Sequence, residues 1–174
     1  MRFSVHIALL LLIPGITIYG QEKNAGRNEF KTEMYKAKKA AIDYLSDSTI
    51  LKKYGSISDL IWNYAELGMQ EFKSASLLIK TLEEEGFRVE KEVAGMPTCF
   101  VASWGSGKPV IGILGEFDAL PMISQKALIP HQEPLVKGAP GHGCGHNMMG
   151  TAGIAAAIAG TIGRMLMPQP PPRA

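Results

Sequence analysis

The spacing of the apolar residues changes at Gly86, and this change constrains the fold more than any other feature of the sequence. Upstream of Gly86 apolar residues recur every three or four positions, which is typical of amphipathic helices. Downstream they alternate with polar residues, as in Phe87-Arg88-Val89-Glu90, which is typical of strands. The sequence therefore predicts an α/β fold, with Gly86 as the left-handed residue that ends the upstream helices.

Three helices are predicted in the upstream half. The first covers Glu29 to Tyr54. The second begins at Ser56 or Ser58, whose hydroxyl oxygen can accept the free N–H groups of a helix start, and it ends at Gly68. The third runs from about Gln70 to Glu85, and the stripe predicted to be buried on it consists of Phe72, Ala75, Leu78, Ile79 and Leu82.

Three strands are predicted downstream, over residues 87–93, 99–102 and 110–114. The third strand is apolar on both faces, as expected of a strand in the middle of a sheet. The segment Gly105-Ser106-Gly107-Lys108-Pro109 lacks the first glycine of a phosphate-binding loop and the hydroxyl residue after its lysine. We interpret it as a hairpin turn between the second and third strands.

Small apolar residues dominate the segment from Gly150 to Met167, which predicts a tightly packed buried helix. Arg164 and the length of the apolar run argue against a membrane span. The proline-rich end, Pro168 to Ala174, cannot form a helix or a central strand. We expect a disordered tail there.

Residues 1–20 have the layout of a signal peptide. Arg2 gives a basic start, residues 7–13 are continuously apolar, and the Gly20-Gln21 junction is a plausible cleavage point. The apolar run is too short to span a bilayer comfortably. We therefore expect an exported protein, periplasmic or secreted, that begins at Gln21 and has no stable membrane span in its mature chain. An uncleaved anchor is the alternative.

Composition narrows the choice of class. The chain has 174 residues, of which 46% are hydrophobic and 20% charged, and this is typical of one globular domain. The formal net charge is +2, and basic residues are interspersed with acidic ones. No electrostatic footprint for a nucleic acid is present, so we expect no nucleic-acid partner.

The strongest chemical signal is Pro140-Gly141-His142-Gly143-Cys144-Gly145-His146-Asn147, in which possible metal ligands alternate with glycines. An extended or tightly turned backbone would project His142, Cys144 and His146 to one side. The glycines favour such a backbone because they lack Cβ atoms and tolerate positive φ. Thiolate and imidazole are the ligands preferred by zinc and neighbouring divalent metals, so the motif predicts a metal site.

Carboxylates directly follow the predicted central strand, in Gly115-Glu116-Phe117-Asp118. Functional groups gather at the carboxyl ends of strands in α/β sheets, which favours a chemical role for Glu116 and Asp118. Either one could orient a ligating histidine by accepting a hydrogen bond from its other ring nitrogen. The alternative is that both only cap the turn at Pro121.

Two other interpretations of Cys144 remain open. In an oxidising compartment Cys99 and Cys144 could form a disulfide, although a disulfide would not explain the histidines. Cys144 and a neighbouring histidine could instead form a nucleophilic pair. His131, in the polar loop over residues 122–140, is interpreted as an exposed loop histidine.

The run Gly-Glu-Phe-Asp-Ala-Leu-Pro from Gly115 and the run Gly-His-Gly-Cys-Gly-His-Asn from Gly141 together resemble the dinuclear-metal amidohydrolase and peptidase family. The matching branch is that of the aminobenzoyl-glutamate hydrolases. The likeness includes WNYAELGMQEF over residues 62–72 and covers about residues 28–160. It implies an exopeptidase-like α/β catalytic domain with a mixed sheet flanked by helices. It also implies Zn²⁺ or Mn²⁺ as cofactor and N-acyl amino acids as small-molecule substrates.

The resemblance also implies roles for individual residues. Cys144 and His146 fall on the metal-ligand pair of the family, and Asp118 falls on the aspartate that supports a ligand. Glu116 stands where relatives carry Asp, or His in the wider superfamily, so Glu116 is a possible ligand, as is His142. Asn147 stands where auxin-conjugate and hippurate hydrolases carry Asp, which favours the aminobenzoyl-glutamate branch.

The sequence departs from the family near its end. In the family a Glu-Glu pair that supplies the general base follows the helix that begins here at Gly150, whereas no Asp or Glu follows Glu133 in this sequence. We therefore expect residues 21–160 to be the N-terminal part of a catalytic domain, without activity on its own, and residues 161–174 to be a divergent tail. The complete enzyme is expected to be a homo- or hetero-oligomer. A non-catalytic metal-binding or interaction protein derived from the family is the alternative.

Overall fold

The computed structural model describes residues 14–167, and its side chains from residue 26 onward. Four helices and two strands follow one another along this part of the chain. They are α1 (Pro14–Ser46), α2 (Ser48–Tyr64), α3 (Phe72–Glu84), β1 (Arg88–Lys91), a 3-10 turn (Val93–Gly95), β2 (Phe100–Ser103) and α4 (His146–Met165). Helices combined with a small antiparallel sheet agree with the predicted α/β class.

The predicted helix over residues 29–54 is wrong in its bounds, because the chain changes helix at Asp47. The carboxylate of Asp47 accepts hydrogen bonds from the backbone N–H groups of Thr49 and Ile50, at 2.8 and 3.1 Å. These bonds satisfy two free donors of a helix start. α2 therefore begins at Ser48, and the predicted start at Ser56 or Ser58 is also wrong.

The end of α2 differs from the prediction as well. The helix ends at Tyr64 because Ala65 adopts the left-handed conformation, with φ of 44°. The Ala65 N–H donates to the Ile61 carbonyl at 3.1 Å, which closes the last turn. Gly68, the predicted end, lies beyond this turn in the loop that leads to α3.

The third helix is confirmed, and Gly86 follows it with φ of 82° as predicted. Ala75, Leu78, Ile79 and Leu82 are buried. Phe72 is the exception, since it is 59% exposed. It is the first residue of α3, where its ring lies on the rim of a surface groove instead of under a neighbouring helix.

The core lies between α2, α3 and α4, where Ile61, Leu78 and Ile158 are almost completely buried. The predicted buried helix is confirmed, although it begins at His146 instead of Gly150. Its small residues allow close crossings: Gly163 packs on α1, and a Cβ built there would lie 3.1 Å from the Ala37 carbonyl oxygen. By length and composition α4 could cross a membrane, but a core helix has the same properties.

The sheet has two strands, with β1 antiparallel to β2 and Arg88 opposite Ser103. The predicted third strand over residues 110–114 is wrong: this segment forms no strand, and Val110, Ile111 and Leu114 are 83–86% exposed. A strand requires a neighbour to pair with, and the described residues provide none for this segment. The predicted hairpin turn over residues 105–109 is wrong for the same reason.

Parts of the predicted domain layout lie outside the described residues. These parts are residues 1–13 of the predicted signal peptide and residues 168–174 of the predicted tail. Residues 14–20 belong to α1. Residues 161–165, assigned to the tail by the resemblance, continue α4.

Candidate functional site

The three sequence motifs meet at Ala119 and Leu120. The Ala119 N–H donates to the Glu66 carbonyl at 2.7 Å, and Leu67 forms a parallel bridge with Ala119. Leu120 and Gly141 exchange two backbone hydrogen bonds, at 2.9 and 3.0 Å. The backbone beside Asp118 is therefore held from both sides, by the loop after α2 and by the glycine-rich run.

The glycines of that run serve different purposes. A Cβ at Gly141 would lie 2.5 Å from the Ile123 carbonyl oxygen and 3.0 Å from the Ser124 Cα, so a side chain does not fit. Gly145 has φ of 76° and directly precedes α4. Three glycines of this run were expected to allow positive φ, and of these only Gly145 lies in the positive-φ region.

His146 is the first residue of α4, and both of its ring nitrogens face carboxylates. Its Nδ1 lies 2.7 Å from Asp118 Oδ1, and its Nε2 lies 3.1 Å from Glu116 Oε2. The His146 side chain is 15% exposed, whereas that of Glu116 is 50% exposed. When Nδ1–H donates to Asp118, the lone pair of Nε2 is directed toward Glu116. In this arrangement Asp118 fixes the tautomer and the orientation of the His146 ring.

Phe117 and Glu116 reach this position by crossing α4 at Gly150. A Cβ at Gly150 would lie 2.9 Å from the Phe117 Cβ and 3.0 Å from the Glu116 carbonyl oxygen. Gly115 lies against the same turn, since a Cβ there would lie 3.3 Å from the Gly150 Cα. The small residues of α4 thus allow the carboxylate segment to approach His146.

His142 has a different environment from His146. It is 5% exposed, and its Nε2–H donates to the carbonyl of Ile61 at 3.0 Å. Its Nδ1 is buried without a hydrogen-bond partner, and its ring lies 6.2 Å from that of Trp62. Burial lowers the pKa of His142 below the usual histidine value. The His142 ring is therefore buried against α2, where it contacts Ile61 and Trp62.

Cys144 is exposed, and both Cys144 and Cys99 are free thiols. Among the residues that the structure describes, no group of three His, Cys, Asp or Glu side chains could hold a metal ion. The structure thus brings Glu116, Asp118 and His146 into direct contact, and His142 lies close enough to Asp118 and His146 to interact with their charges. The assignment of Cys144 and His142 as ligands stays a prediction.

The cluster fits a divalent cation in part. Two ligands at about 2.0 to 2.1 Å from a tetrahedral zinc ion lie roughly 3.3 Å apart. The distance of 3.1 Å between His146 Nε2 and Glu116 Oε2 is close to this separation. Asp118 occupies the other ring nitrogen, where ligating histidines commonly meet a carboxylate. The separation of these two atoms thus matches that of two zinc ligands, whereas a zinc site requires further ligands.

Two residues near the site were not predicted to be functional from the sequence, although the first, Glu66, lies in the run over residues 62–72 that carries the resemblance. Glu66 accepts hydrogen bonds from the backbone of Lys73 and Ser74, at 3.0 and 2.9 Å, and so caps α3. Glu71 precedes α3 and makes no side-chain cap. The free N–H groups at the start of α3 therefore need an acceptor from elsewhere in the chain, and this need points to a residue such as Glu66. Ser58 is the second, since its hydroxyl accepts from Asn147 Nδ2 at 3.0 Å.

Asn147 itself is buried, and this bond fixes the start of α4 against α2. Its Oδ1 is buried without a hydrogen-bond partner.

A comparison with curated proteins finds relatives that are named as hydrolases and dipeptidases. No family model matches the chain. The chain is 48% identical over 108 residues to a subunit of the p-aminobenzoyl-glutamate hydrolase of Escherichia coli (strain K12). It is 28% and 30% identical to the Xaa-Arg dipeptidases of Mus musculus and Homo sapiens. The predicted resemblance to an amidohydrolase and peptidase family is confirmed.

These matches cover most of this chain but a small part of each relative. They extend over 62% of the chain for the bacterial hydrolase and 70% for the dipeptidases. The chain spans 22% of the hydrolase subunit and 26–27% of the dipeptidases.

Proposed function

We propose that this chain forms part of the catalytic region of a metal-dependent amidohydrolase. The substrate class is an N-acyl amino acid of the aminobenzoyl-glutamate type, cleaved at the amide bond next to the amino-acid carboxylate. The observation that supports the proposal most directly is the placement of His146 between Glu116 and Asp118. The name and identity of the bacterial relative support the substrate class.

In this proposal His146 and Glu116 hold a divalent ion, Zn²⁺ or Mn²⁺, and Cys144 adds a thiolate from the adjacent loop. When bound, such an ion supplies Lewis-acid polarisation of the amide carbonyl. Asp118 keeps the proton of His146 on Nδ1, so that Nε2 stays free to bind. The buried contact of His142 with the Ile61 carbonyl fixes the loop that carries Cys144.

The chain holds no free candidate for the general base in this cluster. Among the described residues, Glu116 and Asp118 are both engaged with His146. General-base catalysis typically contributes about 10²- to 10⁴-fold to a rate. We therefore propose that the chain as written binds metal but does not hydrolyse amides.

The proposal is tested by zinc titration of the reduced chain, paired with an aminobenzoyl-glutamate hydrolysis assay. We expect measurable zinc binding that falls sharply in Cys144→Ser and in His146→Ala. His131→Ala is the matched control, because His131 lies in an exposed loop and contacts Glu133. Unchanged zinc affinity in both site variants would reject the site. Metal-dependent turnover by the wild-type chain would reject the proposal that this chain does not hydrolyse amides.

A non-catalytic metal-binding or interaction protein is the second candidate. The observation that favours it is the exposed apolar segment over residues 110–114, which offers a surface for another chain. The locus downstream of codon 160 separates the two candidates. A Glu-Glu motif in any downstream frame supports the enzyme, and its absence supports the interaction protein.

The location and assembly are further parts of the proposal. The layout of residues 1–20 supports export to the periplasm or outside the cell, and N-terminal sequencing of the exported fraction should then give Gln21. An intact Met1 in cytosolic material would reject export. The bacterial relative is named as a subunit, which supports a homo- or hetero-oligomer for the complete enzyme.

A further inference from the structure

The loop between α2 and α3, residues 65–71, makes contacts that the proposed chemistry does not use. Glu66 in this loop is joined to α3 by three hydrogen bonds. Its Oε1 accepts from the backbone N–H of Lys73 at 3.0 Å. Its Oε2 accepts from the backbone N–H and the hydroxyl group of Ser74, at 2.9 and 2.8 Å. Because Ser74 is fully buried, residue 66 has a fixed position relative to the helix.

The backbone of the same residue contacts the site. The Glu66 carbonyl accepts the Ala119 N–H at 2.7 Å, so the residue next to Asp118 is bonded to the residue that caps α3. Gly68 lies beside Asp118 as well, since a Cβ at Gly68 would lie 3.9 Å from Asp118 Oδ2. The loop therefore lies along the carboxylate that receives the His146 Nδ1–H.

The far end of the loop is anchored too. Glu71 is 7% exposed and accepts a hydrogen bond from the Thr98 hydroxyl at 2.5 Å. The Phe72 N–H donates to the Gln70 carbonyl at 2.9 Å. Hydrogen bonds therefore hold the loop both at Glu66 and at Glu71.

We propose that Glu66 is a positioning residue for His146: its carboxylate fixes the loop on α3, and its carbonyl fixes Asp118 at hydrogen-bonding distance from Nδ1. The effect on metal binding rests on the proposed function, whereas the effect on the Asp118–His146 bond does not. A ligand must be held within about 0.5 Å of its working geometry by such supporting contacts.

Glu66→Gln is the variant that tests this. Glutamine keeps the length of the side chain but replaces one acceptor oxygen with an NH₂ group. Either the Lys73 N–H or the Ser74 N–H then faces a donor instead of an acceptor, since only the Ser74 hydroxyl can turn to accept. Residue 66 shifts from the helix, and the bond from Glu66 to Ala119 carries the shift toward Asp118.

The first measurement is proton NMR of the metal-free reduced chain at fixed pH, with the Nδ1–H resonance of His146 identified by its loss in His146→Ala. We expect this resonance to move upfield and to exchange faster with solvent in Glu66→Gln, because the bond to Asp118 lengthens. The second measurement is zinc affinity. We expect a fall of roughly threefold to tenfold, below the roughly 10- to 100-fold typical of losing a direct partner of a ligand.

Asp47→Ala is the matched control. It removes the side-chain cap of α2, as Glu66→Gln weakens that of α3, and the side-chain bonds of Asp47 lie at the junction of α1 and α2. It should lower the thermal midpoint while leaving the His146 resonance and the zinc affinity unchanged. If Glu66→Gln behaves in the same way, Glu66 is only a helix cap and the proposal is overturned.

Two further arms complete the test. If Glu66→Gln does not fold, Ser74→Ala removes one of the three bonds to Glu66 and should produce a smaller shift of the resonance in the same direction. No shift in a folded Ser74→Ala chain would also overturn the proposal. If His146→Ala leaves zinc binding intact, the proposed metal site fails, but the resonance still decides the role of Glu66.

Discussion

Two neighbouring segments of the chain differ in exposure and in backbone hydrogen bonding. Residues 110–114 are apolar, lie exposed and form no strand. Residues 118–120, four positions further on, are held by backbone hydrogen bonds to Glu66 on one side and Gly141 on the other. Ala119 is 2% exposed, whereas Leu114 is 86% exposed.

The difference shows that an extended segment is fixed by its neighbours more than by its own residues. Apolar β-branched residues favour strands because they pack on a paired, half-buried surface. Residues 110–114 have the apolar composition of a strand, but within the described part of the chain no segment pairs with them. Residues 118–120 have two partners, because the loop after α2 and the glycine-rich run both approach them.

The largest expected effect comes from replacing a buried isoleucine with alanine, and the same replacement of an exposed isoleucine is its comparison. Ile158→Ala removes a side chain that is 1% exposed in the core, and it should lower the free energy of unfolding by about 2 to 5 kcal/mol. Ile111→Ala removes a side chain that is 83% exposed, and it should change that free energy by less than about 0.5 kcal/mol. Urea unfolding with unchanged slopes measures both. A large cost for Ile111→Ala would show that residues 110–114 are covered in solution.

The helices were largely predictable from the sequence. The apolar period located α3 and α4, since these helices bury one stripe against the core. The boundary at Asp47 was missed because the apolar spacing continues across it, and only the side-chain cap marks the change of helix. The predicted strand over residues 110–114 was wrong because pairing is a property of two segments, and no single segment reveals it.

The site was predictable in its residue types but not in its geometry. The sequence placed Glu116 and Asp118 in one motif and His146 in another, with Asp118 and His146 28 positions apart, and the structure joins them. It could not show that His142 is packed against Ile61 while Cys144 is exposed, because alternation describes a straight backbone and this run turns into α4. Glu66 lies in the run over residues 62–72 that carries the resemblance, but its contacts with α3 and with Ala119 form only in the fold, so the run alone does not reveal its role.

A pair of glycines sharpens the comparison at the backbone. Gly141→Ala would place a methyl group 2.5 Å from the Ile123 carbonyl oxygen, and we expect a loss of about 1 to 3 kcal/mol in the free energy of unfolding. Gly112→Ala meets nothing within 4 Å, so it should stabilise the chain by about 0.4 to 1 kcal/mol through the unfolded state. Thermal and urea unfolding test both. Equal effects would mean that the close approach of Ile123 does not exclude a side chain at position 141.

Asp118→Asn tests the hydrogen bond between Asp118 and His146 Nδ1. Asparagine keeps an acceptor for Nδ1–H but removes the charge that strengthens the bond, so zinc affinity should fall by roughly 10- to 100-fold. Competition with a zinc indicator measures the change. Glu133→Gln is the control, because Glu133 is a loop carboxylate that pairs with Lys126 and His131. Equal losses in the two variants would point to a general charge effect instead of a contact with His146.

The smallest effect on the folded chain, and the most direct test of the exposed side, is Ile111→Lys. An open apolar segment with unpaired backbone promotes association, so the wild-type chain should form oligomers or aggregates as its concentration rises. A lysine at position 111 should raise the monomer fraction while changing the free energy of unfolding by less than about 0.5 kcal/mol. Ser106→Lys is the control, since it adds the same charge at an exposed polar position without removing apolar surface. Analytical ultracentrifugation at several concentrations separates the cases. A monomeric wild-type chain, or an equal gain in both variants, would show that residues 110–114 do not drive association.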